Sequence, residues 1–101
     1  MQTRVAVIGI IVENFDEVAP LNEILHEYGQ YIIGRMGIPY RRRNINVISV
    51  MVEAPQDAIS ALSGKLGKLD GVTVKAAYSK YVYDEENFKG DSTDHDKKGC
   101  N

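Results

Sequence analysis

Two histidines, one cysteine and a run of three arginines are the residues of this 101-residue sequence with the most chemistry to offer. His95 and Cys100, spaced H-x4-C among aspartates, suit adventitious capture of zinc or nickel, because imidazole and thiolate are ligands such ions take. A physiological metal centre needs more converging donors. His26 lies on a helical stretch at the border of its apolar face, where a surface histidine is the plain reading, so no metal site is assigned. Nucleophilic catalysis has less support still. The sequence holds no GxSxG elbow and no GxxxxGK[ST] loop, its cysteine lies outside the expected fold, and GIIVENF lacks the glycine spacing of a dinucleotide loop. No catalytic residue and no cofactor is expected, and the chain reads as a non-enzyme.

Arg41, Arg42 and Arg43, with Arg35 nearby, would attract an anion or a phosphate backbone. Tyr40 is the one aromatic interleaved with them, no DNA-binding segment precedes the domain, and the formal net charge is -2. A solvated hairpin loop explains the arginines, and direct nucleic-acid binding is not expected.

The elements that would position these residues follow from periodicity. TRVAVIGIIV, residues 3–12, is β-branched and apolar on both alternating faces, the pattern of a central strand buried on two sides. ENFDE offers Asn14 or Asp16 as a helix cap, with Glu17 three positions after Asn14 as in a capping box. Pro20 favours the later start, since proline is tolerated only in a first turn. Val18, Leu21, Ile24, Leu25 and Tyr28 then keep the helical interval until Gly29. QYIIGRMGIPY, residues 30–40, is strand-like but broken by Gly34, Gly37 and Pro39, which suits an irregular or edge strand. RRRN turns the chain, INVISVMVE (45–53) is a second central strand, and APQDAISALSGKLGKLD is the second helix, with Pro55 in its first turn. Asp70-Gly71 ends it, and VTVKAAYSKYVY (72–83) is the last strand.

The order strand, helix, strand, strand, helix, strand narrows the topology. Right-handed crossovers give two split β-α-β units: an α+β, ferredoxin-like βαββαβ sandwich with a four-stranded antiparallel sheet and both helices on one face. Such a sheet has one bare side, yet two of its strands carry Ile and Val on both parities. A lone domain would leave an apolar face exposed. A second copy of the chain is the simplest cover, so a homodimer or higher homo-oligomer is expected; a tail folding back over the sheet is the alternative.

The second helix holds Gly64 and Gly67, each costing about 1 kcal/mol relative to alanine in a helix interior. With Ser60 and Ser63 they form a strip of small residues beside the arc of Ile59, Leu62, Leu66 and Leu69. Such a strip admits another backbone closely and is expected to face the first helix or a neighbouring subunit; a ligand lying against it is the other option.

Composition bounds the rest. The 44% hydrophobic content fits one globular domain with one core. No stretch reaches the roughly 20 apolar residues that span a bilayer, and no signal-cleavage pattern follows the start, so a cytoplasmic protein without membrane contact is expected. A single cysteine forms no internal disulfide, consistent with a reducing compartment. Charge marks a boundary: residues 1–83 carry nine Lys and Arg against eight Asp and Glu, residues 84–101 three against six. The expected organisation is a folded domain over 1–83 and a flexible acidic tail over 84–101.

IIVENFDE, GRMGIPYR and NINVISVMVEAPQDAISALSGKLGKLDGVTVK, with the spacing between them, resemble one family. It is the group of small ACT-like proteins known as iron-only hydrogenase system regulators, similar in fold to the C-terminal domain of nickel-responsive repressors. The resemblance spans roughly residues 3–79, and LSGKLGKLDGVTVK is its most specific part. It implies an ACT-like ferredoxin fold, subunit association, and a regulatory or sensing role alongside hydrogenase maturation, with maturation proteins as partners. The strands here lack the histidine cluster of the nickel repressors, so nickel sensing does not follow. ACT domains generally bind small ligands near the first strand-to-helix turn. In this sequence that turn places Asn14, Phe15 and Asp16, with Gly64 beside them, as the expected contact residues for a small-molecule effector. Two rivals to a sensor are an interaction factor in hydrogenase maturation that takes no ligand, and a metal-binding protein.

Overall fold

Two strands that are apolar on both faces occupy the centre of the sheet in the computed structural model, which describes residues 1–84. β1 (Gln2–Val12) runs antiparallel between β3 (Ile45–Ala54) and β4 (Val72–Tyr78), and β2 (Ile32–Tyr40) completes the order β2-β3-β1-β4. The connections are α1 (Val18–Glu27), reached through a 3-10 turn over Phe15–Glu17, and α2 (Gln56–Gly67). The architecture is α+β, with an antiparallel sheet and two helices.

Alternation decides which side of each strand is buried. Ala6, Ile8, Ile10 and Val12 of β1 and Ile48, Val50, Val52 and Ala54 of β3 point to one side. There they join Leu21 and Leu25 of α1 and Ile59, Leu62 and Leu66 of α2 in a single core. Burying each large aliphatic side chain stabilises the fold by about 1.5–3 kcal/mol, so Leu62→Ala, at a site with no exposed surface to relax into, would cost about 2–5 kcal/mol.

Local chemistry sets the ends of the elements. The Asn14 side chain accepts a hydrogen bond from the Asp16 amide at 3.1 Å, closing the turn that feeds α1. Glu17 stands at the N-cap of α1 without a side-chain cap bond, so the capping box does not form, and Pro20 falls within the first turn. Pro55 is the N-cap of α2 rather than a first-turn residue: its extended backbone (φ -59°, ψ 151°) precedes the helix, and its carbonyl accepts from the Ala58 and Ile59 amides.

β2 is an edge strand, irregular as its glycines and proline imply, with a bulge between Ile32 and Gly34. The last strand differs from the sequence reading. The β1–β4 ladder stops at Ala6–Tyr78 because the Ser79 hydroxyl takes the place of a backbone acceptor, receiving the Val5 amide and donating to the Tyr81 carbonyl. The chain bends there, and a two-residue strand, β5 (Tyr83–Asp84), pairs with Gln2 and Thr3. Asp84 is the only part of the expected 84–101 tail that is described; His95 and Cys100 lie outside the described residues.

Candidate functional site

Among the described residues, nothing covers the sheet side opposite the helices. Pairing across the strands aligns Val7 with Met51, Ile11 with Val47, Ile38 with Val47 and Met36 with Ser49, so these side chains share one face. Met36 is 61% exposed, Ile38 59% and Val7 45%, with Ile11, Tyr40 and Val47 also open. The cause is in the sequence: both parities of β1 and β3 are apolar, and two helices cover only one of them. Isolated apolar side chains at a surface are ordinary, but a contiguous patch marks an interaction site.

The first strand-to-helix turn holds Asn14, Phe15 and Asp16 together. Phe15 projects into solvent, Asp16 is exposed, and Asn14 is partly buried against Gly71. The Glu13 amide donates to the Gly71 carbonyl at 2.7 Å, tying this turn to the loop that follows α2. Gly64 lies on α2, exposed, and three described cavities are lined by other residues.

The two glycines of the α2 strip do not pack against α1. A β-carbon built on Gly64 or Gly67 meets nothing within 4 Å, so among the described residues no close packing offsets their cost. The helices meet through other groups: Lys65 Nζ donates to Glu27 Oε2 at 3.2 Å and lies 5.2 Å from the Tyr28 ring centroid. The Tyr28 hydroxyl first, then the Glu27 carboxylate, hold the Lys65 pKa above its ordinary value by hydrogen bonding to the charged form. Ser63 Oγ, within the strip, is buried without a hydrogen-bond partner among the described residues.

Of the basic residues, Arg41, Arg42 and Arg43 are exposed in the β2–β3 turn. Arg35 is held apart from them by its bond to Asn22 Oδ1 on α1, at 2.7 Å. Among the described residues no three His, Cys, Asp or Glu converge as metal ligands, and no helix is long and apolar enough to cross a membrane.

Sequence reasoning passed over a crevice at the start of β1. It has a volume of about 540 Å³ and is lined by residues that include Thr3, Gln30, Tyr31, Ile33 and Glu53. Its signal was faint: Thr3 stands between Gln2 and Arg4 at the polar start of β1, and Glu53 lies far from it in sequence.

Comparison with known proteins adds a family. Residues 4–76 match the TM1266-like family, described as "Iron-only hydrogenase system regulator, putative". The uncharacterized protein TM1266 from Thermotoga maritima superposes with a TM-score of 0.74 at 35% identity, over 77% of this chain and 99% of that one. Two further structures share the fold alone. A formyltetrahydrofolate deformylase from Pseudomonas putida KT2440 gives 0.57 at 11% identity, over 76% of this chain and 29% of that one. An unknown protein from Galdieria sulphuraria gives 0.54 at 13% identity, over 80% and 48%. No curated protein matches.

Proposed function

This chain belongs to the TM1266-like family of iron-only hydrogenase system regulators, and on that premise we propose that it is a non-enzymatic regulatory module that self-associates through its open sheet face. The strand order β2-β3-β1-β4 supports the finer reading of the fold as ferredoxin-like and ACT-like. The observation that carries self-association is the exposed row of Val7, Ile11, Met36, Ile38 and Val47, which a second copy would bury. Obligate homodimer interfaces are more apolar than ordinary surface, and this face has that character.

In this reading a small effector contacts Asn14, Phe15, Asp16 and Gly64 and shifts the association. The solvent-open Phe15 ring and the clear space above Gly64 support that placement. The module works in the cytoplasm through protein partners of hydrogenase maturation rather than by binding nucleic acid directly, and residues 84–101 form an appended acidic tail. Deleting the gene in its source organism, and separately replacing it with an Ile38→Lys version, tests the role. Both strains should change iron-only hydrogenase transcripts or activity in the same direction. Unaltered transcripts and activity in the deletion strain contradict the regulatory role, while a change in the deletion strain alone contradicts the need for self-association.

A further inference from the structure

We propose that the crevice at the N-terminal end of β1 binds an organic ammonium ion bearing a short apolar chain, with Glu53 as counter-ion, Thr3 as its anchor and Ile33 as part of the apolar wall. The bulge in β2 borders the space. Ile33 is the extra residue between the Ile32–Val52 and Gly34–Met51 pairs, itself unpaired and 62% exposed at the rim. Bulges recur beside binding sites because they re-aim side chains in this way.

The floor is polar and ordered. Thr3 is the one buried polar residue among the described residues, 3% exposed, and its hydroxyl donates to Glu53 Oε2 at 2.6 Å. That bond fixes the carboxylate rotamer. Glu53 Oε1 has no hydrogen-bond partner among the described residues and lies in a residue that lines the crevice. A carboxylate already ordered by one charge-assisted bond, in a partly desolvated cleft, favours a cation that donates to its second oxygen. Gln30 and Tyr31 also line the crevice, and an aromatic residue in such a lining favours positive charge. Met1 stands at the same opening, with its ammonium 3.9 Å from Asp84 Oδ1. A volume of about 540 Å³ lies within the range of ordinary small-molecule sites.

This site is at the other end of β1 from the Asn14 turn and does not rest on the regulatory reading. The test is an NMR titration of the uniformly 15N-labelled full chain with n-butylammonium chloride, and in parallel with sodium butyrate and 1-butanol. Saturable shifts are expected at the Thr3, Ile33 and Glu53 amides for the ammonium, with both controls binding about tenfold more weakly or worse. Glu53→Gln keeps an acceptor for Thr3 and removes the charge, and should weaken the ammonium by a similar factor. Ile33→Ser, at an exposed position, should weaken butylammonium while leaving methylammonium unchanged. Non-saturating or scattered shifts, equal responses to butyrate, or full affinity in Glu53→Gln would each overturn the proposal.

Discussion

Asn14 and Gly71 are in contact that leaves no room for a side chain on the glycine. A β-carbon at Gly71 would lie 2.8 Å from the Asn14 β-carbon and 3.2 Å from its backbone nitrogen, and Gly71 has φ +72°. The two effects add. A left-handed backbone costs a non-glycine residue about 1–2 kcal/mol, and the collision is with main chain that the Glu13–Gly71 hydrogen bond holds in place. Gly71→Ala should therefore lose about 2–5 kcal/mol in urea denaturation, counting overpacking of about 1–3 kcal/mol. A loss below about 0.5 kcal/mol would mean the turn yields freely.

Gly64 behaves in the opposite way. It lies inside α2, without a positive φ and with open space where a β-carbon would go. In dilute solution Gly64→Ala should stabilise the chain by about 0.5–1 kcal/mol through helix propensity and a less flexible unfolded state. A decrease under those conditions would show that the isolated fold needs the glycine. If the strip instead meets a neighbouring subunit, the same substitution weakens association at high concentration, which light scattering reads.

How much of this was legible in sequence depends on the physical origin of each feature. The two central strands announced themselves because Val5 to Val12 and Ile45 to Val52 are apolar on both parities, and periodicity reports burial directly. The edge character of β2 was equally plain from Gly34, Gly37 and Pro39. The end of β4 was not, because Ser79 fits the alternation and only its hydroxyl's competition for the Val5 amide stops the ladder. The direction of the Gly64 strip was hidden for a related reason: helix periodicity gives the arc but not which neighbour lies beyond it. The Thr3–Glu53 pair joins residues 50 positions apart, a juxtaposition created by strand register and invisible to local spacing.

The open sheet face gives a direct test of self-association. Ile38 is 59% exposed on an edge strand, so Ile38→Lys should alter the stability of the isolated chain by less than about 0.5 kcal/mol. In sedimentation velocity the wild-type chain should move as a dimer or larger species, and the variant as a single chain, because a lysine placed in an apolar interface must lose its hydration. A wild-type chain that stays single at its highest soluble concentration removes the basis for assembly through this face. Retained assembly in Ile38→Lys would move the interface elsewhere.

Lys65 sets how stability responds to alkali. Its ammonium donates to Glu27 at 3.2 Å, and the Tyr28 hydroxyl and then Glu27 raise its pKa above the ordinary 10.5. The folded chain thus holds this proton more tightly than the unfolded one, so the contribution is fully present below 10.5 and disappears as pH rises through the higher folded value. Both partners are substantially exposed, so water and salt screen the pair and its contribution is small. Paired melts of wild type and Lys65→Met should then differ by a small, constant amount across about pH 6–9, shrinking with added salt and vanishing in strong alkali. A gap that instead opens or closes between about pH 6 and 8 would show that another group, rather than Lys65, governs the titration.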